Sequence, residues 1–163
     1  MPTIELLGRA AELLLVEDND GDVLLVREAF RSAKIRNNLI VASDGEQALS
    51  MLRRQGAYAR QPSPDLILLD LNLPRMDGRE VLQTIKDDPG LQRIPVIVMT
   101  SSKAEVDILK SYELRANGYI VKPVTFERLK EIVASIESFW FTVVVLPQAQ
   151  ASATSQPSLS LAS

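Results

Sequence analysis

Short aliphatic runs alternate along this chain with longer stretches whose apolar positions recur every three or four residues. The first run, 13–17 (LLLVE), reads as a strand. The stretch that follows, 20–33 (DGDVLLVREAFRSA), places Val23, Val26, Ala29, Phe30 and Ala33 at helical spacing. The same succession then repeats. Strands are predicted at 39–42 (LIVA), 65–71 (DLILLDL), 95–100 (PVIVMT) and 118–121 (GYIV). Helices are predicted at 45–54, 78–87 and 103–115, with a last one starting near 126. The run at 65–71 is too uniformly apolar for a half-exposed strand, so both its faces must be covered. Asp44 before Gln47, Asp77 before Glu80 and Ser102 before Glu105 each supply a cap residue with its partner three positions on.

Alternating strand–helix units predict a parallel sheet with helices on both faces, a three-layer doubly wound α/β fold. Five such units suggest the flavodoxin-like strand order 2-1-3-4-5, although periodicity alone does not fix the order. The domain is expected over 12–146, after an N-terminal extension (1–12) with no assigned role. The end of the chain, 147–163, is Ala/Ser-rich and without periodicity, and is expected to be disordered. The stretch 53–64 (RRQGAYARQPSP) reads as a long polar connection.

Composition narrows the chemistry. At 46% hydrophobic and 24% charged over 163 residues, the chain has the make-up of one globular domain with a real core. A formal net charge of −3 and no dense Lys/Arg stripe argue against a nucleic-acid partner. There is no cysteine and no histidine, which removes thiolate nucleophiles, imidazole bases and the usual zinc ligands. Any chemistry must therefore rest on carboxylates, hydroxyls, Lys, Arg and backbone. No apolar run approaches a membrane span, and Glu5, Arg9 and Glu12 interrupt the opening stretch where a signal peptide would be apolar or basic, so a cytoplasmic protein is expected.

The polar residues that end the strands are the candidates. Glu17 and Asp18 end the first strand, Asp70 falls in the third, Thr100 ends the fourth, and Lys122 follows the fifth. In an open parallel sheet these ends share one edge, where ligands bind at the topological switch point. Each residue alone has an ordinary reading as a solvated or capping group; their convergence on one edge favours a site. Adjacent carboxylates about 5 Å apart repel by roughly 3 kcal/mol per pair at an effective dielectric near 20. The pattern therefore predicts a hard divalent cation, Mg²⁺ or Mn²⁺, among Glu17, Asp18 and Asp70. With an ammonium and a hydroxyl facing the same point, these are the parts for stabilising a transferred phosphoryl group, with Asp70 as nucleophile.

The motifs VEDN, LLDLNLPRMDG, VMTSS and YIVKP stand in the order and spacing of response-regulator receiver domains, which the chain resembles over roughly residues 12 to 146. The resemblance implies that Asp70 is the phosphoacceptor and that Asp18 binds the metal directly, with Glu17 acting through water. It implies further that the Asn72 carbonyl is the third protein ligand, Thr100 the switch hydroxyl, Lys122 the phosphate-pairing lysine and Tyr119 the switch aromatic. The Lys122–Pro123 bond is usually cis in such domains. Such a protein is no enzyme acting on a separate substrate; it assists its own Mg²⁺-dependent phosphorylation and dephosphorylation. GDVLLVREAF, SYELRANGYIVKPV and SIESFWFTVVVLP are similar to the regulators that accompany phytochromes, which lack an output domain. That likeness implies a phytochrome-type sensor histidine kinase as partner.

Two rival readings remain. An aspartate-nucleophile phosphatase of the haloacid-dehalogenase type shares the Asp, Thr, Lys and Mg²⁺, but needs an acid two residues after the nucleophile, where this chain has Asn72. A docking scaffold without phosphorylation draws on FWFTVVVL (139–146), whose Phe139, Trp140 and Phe141 continue apolar beyond the fifth helix's needs. The same segment is expected to form a homodimer interface together with that helix. A dinucleotide site is excluded, because no G-x-G-x-x-G opens the first helix.

Overall fold

A computed structural model describes residues 9–110 and 116–138 in full, and Ser111 and 139–144 by backbone alone. Five strands alternate with five helices: β1 (Ala11–Val16), α1 (Asp20–Arg31), β2 (Asn37–Ala42), α2 (Gly45–Leu52), β3 (Leu66–Asp70), α3 (Gly78–Asp87), β4 (Val96–Thr100), α4 (Lys103–Ser111), β5 (Gly118–Val121) and α5 (Phe126–Val144). The strands form one parallel sheet in the order β2-β1-β3-β4-β5, as expected.

The period-2 geometry of the strands divides the core. Ala11, Leu13 and Leu15 of β1 pack with Leu66 and Leu68 of β3 against α1 and α5, through Val26, Phe30, Leu129, Ile132 and Ile136. Leu14 and Val16 turn the other way with Ile67 and Leu69, meeting Leu49, Val81, Leu82, Ile85 and Leu109 from α2, α3 and α4. Every residue of β3 and β4 is buried, which is why their sequences lack alternation. Full burial of such side chains contributes roughly 1.5–3 kcal/mol each, and this sandwich holds the polar edge in place.

Several boundaries differ from the sequence pattern by one or two residues, β2 beginning at Asn37 and α1 and α2 ending at Arg31 and Leu52. β1 begins at Ala11, so residue 12 lies inside the strand. The cause is Asp65, which accepts the Glu12 N–H at 2.8 Å and a two-pronged contact from Arg9 at 2.8 Å each, while its own N–H donates to the Glu12 carbonyl at 2.7 Å. The polar connection 53–64 contains a short 3-10 turn, Gly56–Tyr58, whose Tyr58 hydroxyl accepts from Gln47 Nε2 at 3.2 Å. Residues 1–8 and the expected disordered tail 147–163 lie outside the described residues.

The caps hold at all three predicted positions, with differences in detail. Asp44 accepts from the Gln47 N–H at 2.8 Å, and Gln47 reaches back to the Ser43 N–H at 2.8 Å. Asp77 caps α3 through the Arg79 N–H rather than that of Glu80. Ser102 Oγ accepts the Glu105 N–H at a long 3.4 Å.

Gly78 ties α3 to the polar edge. A Cβ there would lie 2.5 Å from Leu71 Cα and 2.7 Å from the Asp70 carbonyl oxygen, both backbone atoms that cannot rotate away. Gly78→Ala is therefore expected to lower stability by roughly 1–3 kcal/mol through overpacking, as read by urea unfolding.

Candidate functional site at the carboxyl edge of the sheet

Register sets the site. Val16 pairs with Leu69, so Glu17 comes level with Asp70 one residue beyond the ladder. Asp70 pairs with Met99 and Thr100 with Val121, which brings Thr100 and Lys122 to the same edge. Backbone bonds extend the strands just far enough: the Glu17 N–H donates to the Ala42 carbonyl at 2.9 Å, and the Lys122 N–H to the Thr100 carbonyl at 2.7 Å. Glu17, Asp70 and Thr100 are buried, at 1%, 2% and 0% exposure, while Asp18 is exposed.

The Lys122 ammonium stands at the centre of these groups. Its Nζ donates to Glu17 Oε1 at 2.6 Å, Asp22 Oδ2 at 2.9 Å and Asp70 Oδ2 at 3.0 Å. The other oxygens of the two buried acids are also engaged. Glu17 Oε2 accepts the Asn19 N–H at 3.3 Å, and Asp70 Oδ1 accepts the Asn72 N–H at 2.9 Å. The Lys122–Pro123 peptide bond is cis.

Burial pushes the Glu17 carboxyl up to about 7; its neighbour Asp70 adds to the rise and Lys122 opposes it. Burial alone would lower the Lys122 ammonium, but its bonds to Glu17, Asp22 and Asp70 outweigh that and raise it, so it stays charged. Glu17 thus contributes stability that is full below its ordinary value of 4.5 and is lost as pH rises through about 7.

The donor set suits a divalent cation. Glu17, Asp18 and Asp70 can each offer one oxygen, all within 4.8 Å of one another. With Asp22 the edge carries four acids against a single ammonium, so negative charge remains after Lys122 is counted. Hard oxygen donors with uncompensated charge are what Mg²⁺, Mn²⁺ or Ca²⁺ binds, and thiolate- or imidazole-preferring metals find no ligand here.

Beyond β4 a second polar group forms. The Thr100 hydroxyl donates to Glu105 Oε1 at 2.7 Å and accepts the Ser102 N–H at 3.1 Å. Asn72 donates through Nδ2 to the same Glu105 oxygen at 3.3 Å and accepts the Ser101 N–H at 3.1 Å. Tyr119 is half-buried against the α2–α3–α4 side of the core, with Lys110 Nζ 5.4 Å from its ring centroid.

The structure therefore brings Glu17, Asp18, Asp70, Thr100 and Lys122 together, with Asn72 adjoining. Tyr119 stands on β5, outside the polar cluster. Phe139, Trp140 and Phe141 lie in the last turns of α5, and their side chains are outside the described residues. Two participants were missed by sequence reasoning. Asp22 reads as an ordinary first-turn acid of α1, and its spacing of four from Asp18 was the available signal. Glu105 reads as the capping partner of Ser102, yet its carboxylate turns to Thr100. Asn72 occupies the position where a haloacid-dehalogenase-type phosphatase needs its acid, and its side chain is spent on Ser101 and Glu105, which removes that alternative.

Comparison with known proteins gives the family. Residues 13–134 match the family described as response regulator receiver domain. The chain is 49% identical over 137 residues to response regulator Rcp1 of Synechocystis sp., covering 84% of this chain and 93% of Rcp1. The phosphorylated cyanobacterial phytochrome response regulator RcpA superposes with a TM-score of 0.73 at 46% identity, over 82% of this chain and 96% of RcpA. The Mn²⁺-bound form of Rcp1 gives 0.72 at 48% identity, over 84% of this chain and 99% of that structure.

Removing the ammonium would leave two buried carboxylates facing each other. In chelating buffer at pH 8, Lys122→Ala is expected to lose roughly 2–4 kcal/mol in chemical denaturation. Without Lys122 the Glu17 carboxyl rises further, so the loss should shrink as pH falls toward about 7 and level off below it, and should shrink also on adding millimolar divalent cation.

Proposed function

Because the chain belongs to the response-regulator receiver family, a two-component phosphoacceptor, we propose that Asp70 accepts the phosphoryl group, from the phosphohistidine of a phytochrome-type sensor kinase. The observation that carries this reading is the position of Asp70. Glu17 and Asp70 are the two buried carboxylates of the acid cluster that bond Lys122, and of the two Asp70 ends the central strand, between the strand that leads to Glu17 and Asp18 and the strand that ends in Thr100. An Asp70 carboxylate oxygen forms the new bond to phosphorus, and the P–N bond of the donor breaks with its electron pair going to the imidazole nitrogen. The chain has no histidine, so the donor must be another protein or a small molecule.

Each neighbour takes the part that the family resemblance implies for it. The Asn72 N–H fixes one Asp70 oxygen and so orients the carboxylate. Lys122, already beside Asp70, is placed to pair with a phosphoryl oxygen and can transfer its contact without moving its backbone. Asp18 and Asp70 would hold Mg²⁺ directly with the Asn72 carbonyl as third protein ligand, and Glu17 would act through water. When bound, the cation supplies positive charge against the phosphoryl oxygens. Thr100 would serve as the switch hydroxyl and Tyr119 as the aromatic that follows it, so the output is a changed surface around α4 and β5. The same residues give the chain the means to assist its own phosphorylation and dephosphorylation. Among the described residues no helix is long and apolar enough to cross a membrane, and a cytoplasmic setting completes the reading.

Pairing of two copies along α5 belongs to the same proposal. The helix runs 19 residues to Val144, so the apolar run from Phe139 continues it rather than starting a new element. A two-fold axis along such a helix is the commonest way to cover an apolar stripe. Changing both Phe139 and Trp140 to Ala is expected to convert a dimer to a monomer in light scattering at micromolar concentration, with phosphorylation retained.

The phosphoacceptor reading is tested by intact mass. With Mg²⁺ and acetyl phosphate the wild type should gain one phosphoryl group, and it should gain none in EDTA. Asp70→Asn should gain none in either. Full uptake by the Asn variant would place the acceptor elsewhere.

A further inference from the structure

Glu105 is a half-buried acid that the transfer scheme above does not use, yet it holds the group on which the switch depends. Thr100 is fully buried, and its hydroxyl has one proton, which it donates to Glu105 Oε1 at 2.7 Å. The same Glu105 oxygen accepts from Asn72 Nδ2, while the Asn72 N–H holds Asp70 Oδ1 at 2.9 Å. A continuous set of contacts thus runs from Asp70 through Asn72 and Glu105 to Thr100. The loop between β4 and α4 is pinned to its two ends, the Ser101 N–H on Asn72 Oδ1 and the Ser102 N–H on Thr100 Oγ1.

We propose that Glu105 is a positioning residue of the resting state, a latch that keeps the Thr100 proton and the β4–α4 loop away from the acceptor until Asp70 is phosphorylated. The inference rests on the phosphoacceptor reading of Asp70. A single hydroxyl proton cannot serve Glu105 and a phosphoryl oxygen at once. Phosphorylation must therefore break the 2.7 Å bond, and the first turn of α4, which carries Glu105, is released when it breaks. Glu105 thereby sets how far the unphosphorylated protein already samples the switched conformation, and phosphorylation draws on that population.

The test compares Glu105→Ala, Glu105→Gln and the wild type, each also in a Thr100→Ala background, with Mg²⁺ and acetyl phosphate. Glu105→Ala should be phosphorylated about 3- to 10-fold faster than wild type, the weight of one hydrogen bond at a partly open site. Glu105→Gln, which keeps an acceptor oxygen, should lie closer to wild type. In the Thr100→Ala background the acceleration should vanish, which a merely structural role for Glu105 would not produce. Before any phosphodonor is added, the Ser101 and Ser102 amides should exchange faster in Glu105→Ala than in wild type. A wild type that accepts phosphate while Glu105→Ala reacts no faster, or exchange at Ser101 and Ser102 that is unchanged, overturns the latch alone. An acceleration that persists without Thr100 also overturns it. A wild type that takes up no phosphoryl group overturns the phosphoacceptor reading and the latch together.

Discussion

The ammonium of Lys122 makes this sheet edge possible. Glu17 and Asp70 are all but inaccessible, and two buried carboxylates side by side would drive the edge apart or force a proton onto one of them. Lys122 sits within hydrogen-bond distance of both, and of Asp22 as well, so the folded chain carries its own counter-ion. That balance is incomplete: Lys122 bonds three acids while Asp18 adjoins them, and Glu17, pushed up by burial first and by Asp70 second, rises to about 7. The residual negative charge is what a divalent cation would neutralise. In the proposed reaction, it would also be why an arriving phosphoryl group needs both the cation and the lysine.

Much of this was legible before any coordinates. The strands β3 and β4 announce themselves because burial on both faces demands uninterrupted aliphatic residues. The polar residues that follow them then stand out as exceptions. Glu17, Asp18, Asp70, Thr100 and Lys122 were found in that way, and the parallel sheet guaranteed that they meet. The start of β1 was not legible, because Glu12 looks like a loop residue until Asp65, 53 positions away, takes its N–H. Asp22 was hidden for the same reason, since its partner Lys122 lies 100 positions further on. Clustered acids were explained in advance by a cation alone. The structure assigns part of that task to Lys122, a contact that spacing cannot reveal. Glu105 was noticed for its cap alone: its N–H reaches Ser102 Oγ as expected, while its carboxylate takes the Thr100 hydroxyl, a contact that cap geometry does not foretell.

The fold explains how a change at one oxygen atom can alter a surface. Asp70, Thr100 and Lys122 are attached to the ends of three adjacent strands whose interiors are fully packed, so these residues move little relative to one another. The segments beyond the strand ends are held by a handful of polar contacts instead, those of Asn72, Ser101, Ser102 and Glu105. Rigid strands and a lightly held loop suit the proposed division of work, in which the sheet would fix where phosphorus binds and the loop before α4 would report it.

Everything above turns on Asp70 being the residue that carries the phosphoryl group. The direct measurement is borohydride reduction of protein treated with Mg²⁺ and acetyl phosphate, which converts an aspartyl phosphate to homoserine, followed by mass spectrometry of the tryptic peptides 10–27 and 61–75. The first contains Asp18 and Asp22, and the second contains both Asp65 and Asp70, so it carries an internal control. The account predicts homoserine at position 70 and unchanged aspartate at position 65. Homoserine at position 18 or 22, or an Asp70 left intact in phosphorylated protein, would contradict it.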